Sequence, residues 1–284
     1  MAEGNGTMSP GVEAELLAAS QPLRVPGQGD MRVLSQGAVQ RIAAQEGVTA
    51  WEIEAAALEA GVAPIHYLRN LSRFGFSGQI RLLRSSVCLV GDPRVTLKIA
   101  ARLAQSGVGR FVLIPSGDSD PPTREPLQPR AEAEIRSANR SAEVSIETAD
   151  LKRGDVRLVL KRSNVAIGLL AQAMEEQLLE FACKVTRVPL VLGGVDGMEC
   201  QALTVLPGES GVALVYRPTQ SHIRSQRSDA LLSDVSVMMV AGWVAEQAVQ
   251  LLLGEGALLA GRLRYAHFGK GEMVEAPLRG SEQG

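Results

Sequence analysis

Val87-Cys88-Leu89-Val90-Gly91-Asp92-Pro93-Arg94-Val95-Thr96 is the stretch whose reading decides the fold. An apolar run ending in glycine reads as a buried strand. The Asp-Pro that follows reads as a helix start, because Asp is a preferred cap and Pro favours the first helical position. A strand that enters a helix through glycine is where a nucleotide-binding α/β protein keeps its phosphate loop. There, amides at the helix N-terminus hold the anion and glycines let the backbone approach it. Of such a loop only the first glycine, Gly91, is present here. The Asp92 carboxylate is placed to take the amides that a phosphate would use, and Pro93 offers none. Arg94 points the other way, as a cation available to a phosphate, to Asp92 or another neighbour, or to solvent. A phosphate about 4 Å from an unneutralised carboxylate loses roughly 4 kcal/mol at an effective dielectric near 20, about a thousandfold in affinity.

Outward from this stretch the chain alternates between strand and helix. A short helix over 77–84 leads into the strand at 87–91. A helix follows to Gln105 and ends in Ser106-Gly107, and 111–114 is the next strand. A Pro-rich polar loop occupies 115–129. A helix over 130–138, strands at 144–147 and 156–160, a long helix over 166–184 and a strand at 189–192 continue the pattern. The last third differs, with strands at 201–206 and 212–216, a hydrophobic helix over 235–253, and a hairpin of 262–268 and 272–277 around Gly269-Lys270-Gly271. The expected class is α/β: a Rossmann-like, mostly parallel sheet with helices on both faces, a small N-terminal helical segment and C-terminal antiparallel strands. The expected organisation is a flexible arm over 1–30, a small helical domain over 31–63 and the sheet domain over 64–280.

The small domain reads as two helices within 35–61. Ser35 caps the first, and Thr49 with Glu52 makes the capping box of the second, which stops at Gly61. A helix pair of this length invites a DNA-binding reading. Arg32 and Arg41 are opposed there by Glu46, Glu52, Glu54 and Glu59, a surface that a duplex repels. A packing or partner-docking role is the expectation. The whole chain of 284 residues has a net charge of -2, which also argues against a general nucleic-acid binder. No uninterrupted apolar run reaches membrane-spanning length, and no secretory signal pattern opens the sequence. A cytoplasmic protein without membrane contact is expected.

Several pieces in order resemble the ThiF/MoeB/HesA (ubiquitin-activating-enzyme-like) superfamily. They are His66-Tyr67-Leu68-Arg69-Asn70, Gly75-Phe76-Ser77-Gly78-Gln79, the strand ending at Gly91, and Leu103-Ala104-Gln105-Ser106-Gly107-Val108-Gly109 running into an apolar strand. Leu203 to Gly208, then Val249 to Gly254 with Gly261-Arg262-Leu263, complete a resemblance covering about 64–280. The resemblance implies ATP- and magnesium-dependent adenylation of the C-terminus of a small ubiquitin-like or sulfur-carrier protein by a dimer. It implies nucleotide contacts at Gly91, at Arg94, at Arg130 in place of a lysine, and at Arg69, which matches an arginine reaching the neighbouring subunit's ATP.

Other positions depart from the family. Pro115-Ser116-Gly117 stands where an acid should hold the ribose, with Asp118 and Asp120 just beyond. Leu160-Lys161-Arg162-Ser163-Asn164 is basic where a catalytic, metal-associated Asp should follow the next strand. The zinc cysteine pairs are missing, with Val212-Ala213-Leu214-Val215 at the first. No catalytic residue and no metal site are therefore assigned, and neither ATP nor magnesium is an expected cofactor. The reading is a catalytically degenerate scaffold or regulatory partner, as a homodimer or beside an intact family member, with a carrier-protein tail as a further candidate ligand. The alternative is a divergent adenylyltransferase using Asp118, Asp120 and Arg94, with ATP and magnesium.

Chemistry outside the family finds little support. Glu175-Glu176, adjacent on a helix, reads as a solvated pair rather than a catalytic dyad. Ser210 lacks a nucleophile-elbow spacing. Cys88, Cys183 and Cys200 are far apart, and Cys183 reads as a packed core thiol. Met238-Met239 and Trp243 lie along an apolar helix face, in a core or a subunit interface.

Overall fold

The computed structural model describes residues 10–27, 29–116, 126–209 and 233–278. The expected strand at 212–216, Ser210, Asp118 and Asp120 lie outside them. The chain divides into two compact units, the first ending at Arg84 and the second beginning at Ser85.

The first unit holds α1 (Pro10–Ala19), β1 (Gln21–Val25), β2 (Gly29–Leu34), α2 (Gln36–Glu46), α3 (Ala50–Glu59), β3 (Val62–Pro64) and α4 (Leu68–Arg84). The strands make one sheet in the order β1-β2-β3, antiparallel and then parallel. Residues 10–25, expected within a loose arm, are therefore ordered. The Gly- and Pro-rich flanks hid an i, i+4 apolar pair: Val12 and Leu16 are buried against Leu34, Val39, Ile42 and Ile53. Arg32 fastens the end of α1, donating to the Leu17 carbonyl at 2.7 Å and to the Ser20 hydroxyl at 2.7 Å. Ser35 caps α2 by accepting from the Ala38 amide, and the Thr49–Glu52 capping box opens α3. The expected helix at 77–84 is the second half of α4, which bends at Gly75 (φ 65°).

The second unit contains β4 (Ser86–Gly91), α5 (Pro93–Ser106), β5 (Arg110–Pro115), α6 (Leu127–Ala138), β6 (Glu143–Ile146), α7 (Val156–Leu160), β7 (Val165–Leu169) and α8 (Ala173–Thr186). It continues with β8 (Leu190–Asp196), β9 (Glu199–Val205), α9 (Asp234–Leu253), β10 (Arg262–His267) and β11 (Glu272–Pro277). Its sheet has the order β11-β10-β9-β8-β7-β4-β5-β6. The strands from β8 to β6 pair in parallel, and β9, β10 and β11 add antiparallel.

Two elements differ from expectation. Residues 156–160 form a helix, not a strand, because Val156, Val159 and Leu160 have i, i+3, i+4 spacing and all three are buried. The strand beside β4 is instead the continuous apolar run Val165–Leu169, which from residue 166 on falls within the helix expected over 166–184. It is buried on both faces, as an interior parallel strand requires. Gly168 belongs there because a Cβ would come within 2.7 Å of a Leu192 methyl and 2.9 Å of a Leu179 methyl.

α9 packs on β8, β9 and α5. By length and composition alone it is apolar enough to cross a membrane. Gly193 leaves room for it, since a Cβ there would meet Val244 at 2.9 Å and Val240 at 3.1 Å. Trp243 lies buried within this packing, while Met238 stays exposed. A buried amide ties α9 to the sheet: the Gln247 Oε1 accepts from the Thr204 hydroxyl at 2.9 Å and from the Leu259 amide at 2.6 Å. Gln247→Leu keeps the volume but leaves both donors without that acceptor. An unfolding titration should show a loss of about 3 kcal/mol.

Candidate functional site

The strand order places the site. From β4 the chain winds one way through β5 and β6, then returns to lay β7 and β8 on the other side. Ligands of such sheets bind outside the carboxyl ends of the strands where the order reverses. Here those ends are Gly91, Pro115-Ser116 and Leu169-Leu170.

These ends are drawn tightly together. The Asp92 amide donates to the Leu169 carbonyl at 3.2 Å, and the Ser116 amide donates to the Gly91 carbonyl at 3.3 Å. Gly91 has φ 136°, and a Cβ on it would lie 2.0 Å from the Leu169 carbonyl oxygen. Glycine is required for the passage of β4 against β7, whether or not a phosphate ever approaches.

The helix that leaves Gly91 supplies its own anion. The Asp92 carboxylate accepts from the Arg94 amide at 2.8 Å, and the Arg94 guanidinium grips the same carboxylate through Nε at 3.0 Å and Nη2 at 2.6 Å. The Val95 and Thr96 amides donate to the Asp92 carbonyl at 3.1 and 2.9 Å. A helix N-terminus ordinarily leaves its first amides for a cap, water or ligand. In α5 the Asp92, Arg94, Val95 and Thr96 amides all have protein acceptors, and Pro93 has no N–H. Arg94 turns to Asp92, one of the partners the sequence left open for it. It also changes the electrostatics, because the carboxylate is neutralised and the repulsion expected of a bare Asp92 is weakened. Occupancy, more than repulsion, fills the cradle.

Arg130 is half-buried one turn inside α6. The Lys98–Glu134 pair at 2.8 Å fixes the level of α5 against α6. Gly91 and Arg94 stand together at the carboxyl end of β4, and Arg130 lies in α6, the helix packed beside α5. Arg69 belongs to the first unit, exposed at the start of α4. Beside it, the Tyr67 hydroxyl donates to Glu54 at 3.0 Å, and His66 stands 3.2 Å from the same carboxylate. Glu54, read as a surface acid, is buried.

Correct placement of β7 moves the position where the family carries its metal-associated acid. The residues after that strand are Leu170-Ala171-Gln172, apolar or neutral, while Lys161 and Arg162 follow a helix instead. The next carboxylates are Glu175 and Glu176 in the first turn of α8. They are not the solvated pair expected: Glu176 is buried, and Glu175 accepts from the Ser116 hydroxyl at 3.4 Å. Sequence reasoning missed them by starting the helix at 166, which put them at mid-helix instead of at the strand ends. The five-residue apolar run before them was the signal.

The thiols take no part. Burial, then the Glu147 carboxylate, pushes Cys88 up to about 12. Burial likewise raises Cys183 well above a free thiol and Cys200 to about 11. An aromatic disulfide reagent at neutral pH should leave all three unmodified until denaturant is added. Rapid labelling of the native protein would contradict their placement.

The architecture has counterparts among solved structures. PaaA superposes with a TM-score of 0.63 at 20% identity, covering 75% of this chain and 82% of that one. Escherichia coli MccB, solved with ATP, superposes with a TM-score of 0.62 at 13% identity, covering 75% and 70%. In sequence, the SAMP-activating enzyme E1 of Haloferax volcanii is 28% identical over 212 residues, which is 69% of this chain and 77% of that protein. The profile of the ThiF family matches residues 128–283. With more than half its length matched and its sheet wound in the same way, the chain belongs to the ThiF family.

Proposed function

We propose that this chain is a non-catalytic member of the family, a scaffold or regulatory partner in the activation of a ubiquitin-like or sulfur-carrier protein. The observation that carries the reading is the amide accounting at the start of α5, where every donor a phosphate would use already has a protein acceptor. The residues present do not fit magnesium-bound ATP as the family motif would hold it. The glycines after Gly91 are replaced, Arg94 is engaged by Asp92, and Leu170-Ala171-Gln172 supplies no carboxylate after β7. ATP and magnesium are therefore not assigned as cofactors, and Gly91, Arg94 and Arg130 are vestiges of a nucleotide site. What persists is scaffold. Gly107 in its left-handed cap conformation (φ 95°) and the capped start of α5 preserve the crossover without its ligand. The partner is a second copy or an intact family member, to which the exposed Arg69 would be lent, in the cytoplasm. Isothermal titration with ATP and magnesium tests the proposal. Absence of heat supports it, and micromolar binding discards it.

One observation favours a second reading, a divergent adenylyltransferase. Glu175 brings a carboxylate to the strand ends beside Ser116, an oxygen donor of the kind magnesium prefers, with the buried Glu176 next to it in the same turn. Pyrophosphate exchange in the presence of a carrier protein with a free C-terminus would support that reading. Silence across several carriers would count against it.

A further inference from the structure

The turn that joins β10 to β11 brings a histidine and a methionine to one place. β10 ends at His267 and β11 begins at Glu272, with Phe268-Gly269-Lys270-Gly271 between them. The Phe268 amide donates to the Met198 carbonyl at 3.0 Å, which fastens this turn to the one between β8 and β9. A Cβ on Gly269 would lie 3.3 Å from the Met198 Sδ, 3.1 Å from the His267 Cε1 and 3.5 Å from the His267 Nδ1. The thioether and one edge of the imidazole therefore flank a single point, which glycine keeps clear of side chain. Gly269 is exposed and Met198 is 50% exposed, so solvent reaches that point.

The state of the imidazole is specific. Its Nδ1 is buried and has no hydrogen-bond partner among the described residues. Its Nε2 stands 3.6 Å from the Glu199 carboxylate. A carboxylate on that side favours the proton on Nε2 and leaves a lone pair on Nδ1. The strand register sets Glu199 and Glu272 opposite His267 on its two neighbouring strands, so the surroundings favour a cation. Tyr265 also hydrogen-bonds Glu199 and helps to hold that carboxylate. An imidazole with a carboxylate behind one nitrogen and a lone pair on the other is arranged as metal-ligating histidines are.

We propose that the His267 Nδ1 and the Met198 Sδ bind a soft monovalent cation of the Cu(I) class, with Glu199 as the positioning residue behind the imidazole. Thioether sulfur suits Cu(I), whereas magnesium, calcium and manganese take oxygen donors. Hard dications are disfavoured for a second reason. Among the described residues, no three His, Cys, Asp or Glu side chains are grouped to hold one. The site is separated from Gly91 by β9, β8 and β7 in the strand order, and it does not depend on the function proposed above.

Silver(I), a soft monovalent ion stable in air, is the probe, added as the nitrate to the full chain carrying carbon-13 methionine methyls. One equivalent should move the Met198 methyl resonance, identified by its loss in Met198→Leu, together with the His267 Cε1–H resonance. Cu(I) under argon should move the same two, and magnesium neither. His267→Gln and Met198→Leu should each weaken silver binding at least about tenfold, and Glu199→Gln about ten- to a hundredfold. Gly269→Ala should weaken it as well, by filling the space between the donors. Met198→Leu alters an exposed side chain and should keep the melting temperature, so its loss of binding would not reflect unfolding. Cys200→Ala should leave the response intact, because that thiol is buried. A Met198 resonance that ignores silver would overturn the proposal. So would silver binding indifferent to both ligand variants, or a response lost in Cys200→Ala, which would make the thiol the ligand.

Discussion

Gly91→Ala is expected to leave little folded second unit. A methyl at this position has nowhere to go, since its ideal location is 2.0 Å from the Leu169 carbonyl oxygen and 2.5 Å from the Leu169 carbonyl carbon. Both are backbone atoms of the adjacent parallel strand, so no rotamer change relieves the overlap. Relief requires β4 and β7 to part at their ends. That would break the bond from the Asp92 amide to Leu169 and disturb the cap of α5, which depends on the same turn. The φ of 136° adds strain of its own for any residue with a Cβ. The expected loss exceeds about 4 kcal/mol, beyond most point substitutions. Gly47→Ala is the control: φ is also positive, but nothing lies within 4 Å, so about 1 kcal/mol is expected. Urea unfolding followed by far-UV circular dichroism measures both. A similar small loss at the two positions would mean that the strand ends adapt, and that Gly91 owes its presence to something other than packing.

The second large expectation concerns nucleotide affinity. To seat a phosphate at α5, the Asp92 carboxylate must leave the Arg94 amide and the Arg94 guanidinium. Hydrogen bonds to charged groups contribute roughly 1.5–3 kcal/mol each. Losing two or more of them offsets about 4 kcal/mol of binding, so ATP with magnesium should bind at least about a thousandfold more weakly than to an intact family member. Asp92→Ala removes the obstacle and also the cap. It should lower stability by about 1 kcal/mol and still leave ATP binding weak, because Pro93 has no amide to give and Leu170-Ala171-Gln172 still follows β7. Titration calorimetry on wild type and variant reads both numbers. Tight binding by Asp92→Ala would show that this one carboxylate accounts for the whole defect.

Much of this was legible from residues 87–96 alone. A strand, a glycine and an Asp-Pro helix start fix a crossover unit, while the partner of Arg94 stayed open until the structure set it on Asp92. The resemblance of flanking pieces such as Leu103 to Gly109 then fixed the family. Legibility failed where apolar runs were short. Val156 to Leu160 shows both strand-like β-branching and helix-like spacing, and only its burial at three positions decides for helix. Val165 to Leu169 merged into the helix after it, because Ala166 and Gly168 weaken the strand signal and no turn residue separates the two. That one slip carried Glu175 and Glu176 away from the site. In the first unit, Val12 and Leu16 bury their side chains against residues from Leu34 onward, far along the chain. Local composition therefore suggested an arm. Glu54 was misread for a related reason: its partners, His66 and Tyr67, lie beyond the end of its own helix.

The most direct test of the occupied cradle is to watch its amides. In an amide-resolved NMR spectrum of the full chain, the Arg94, Val95 and Thr96 resonances report on the donors that a bound phosphate would capture. The account predicts that they stay in place as ATP and magnesium are added to millimolar excess, because Asp92 already holds them. Saturable movement of these three resonances at micromolar nucleotide would contradict it.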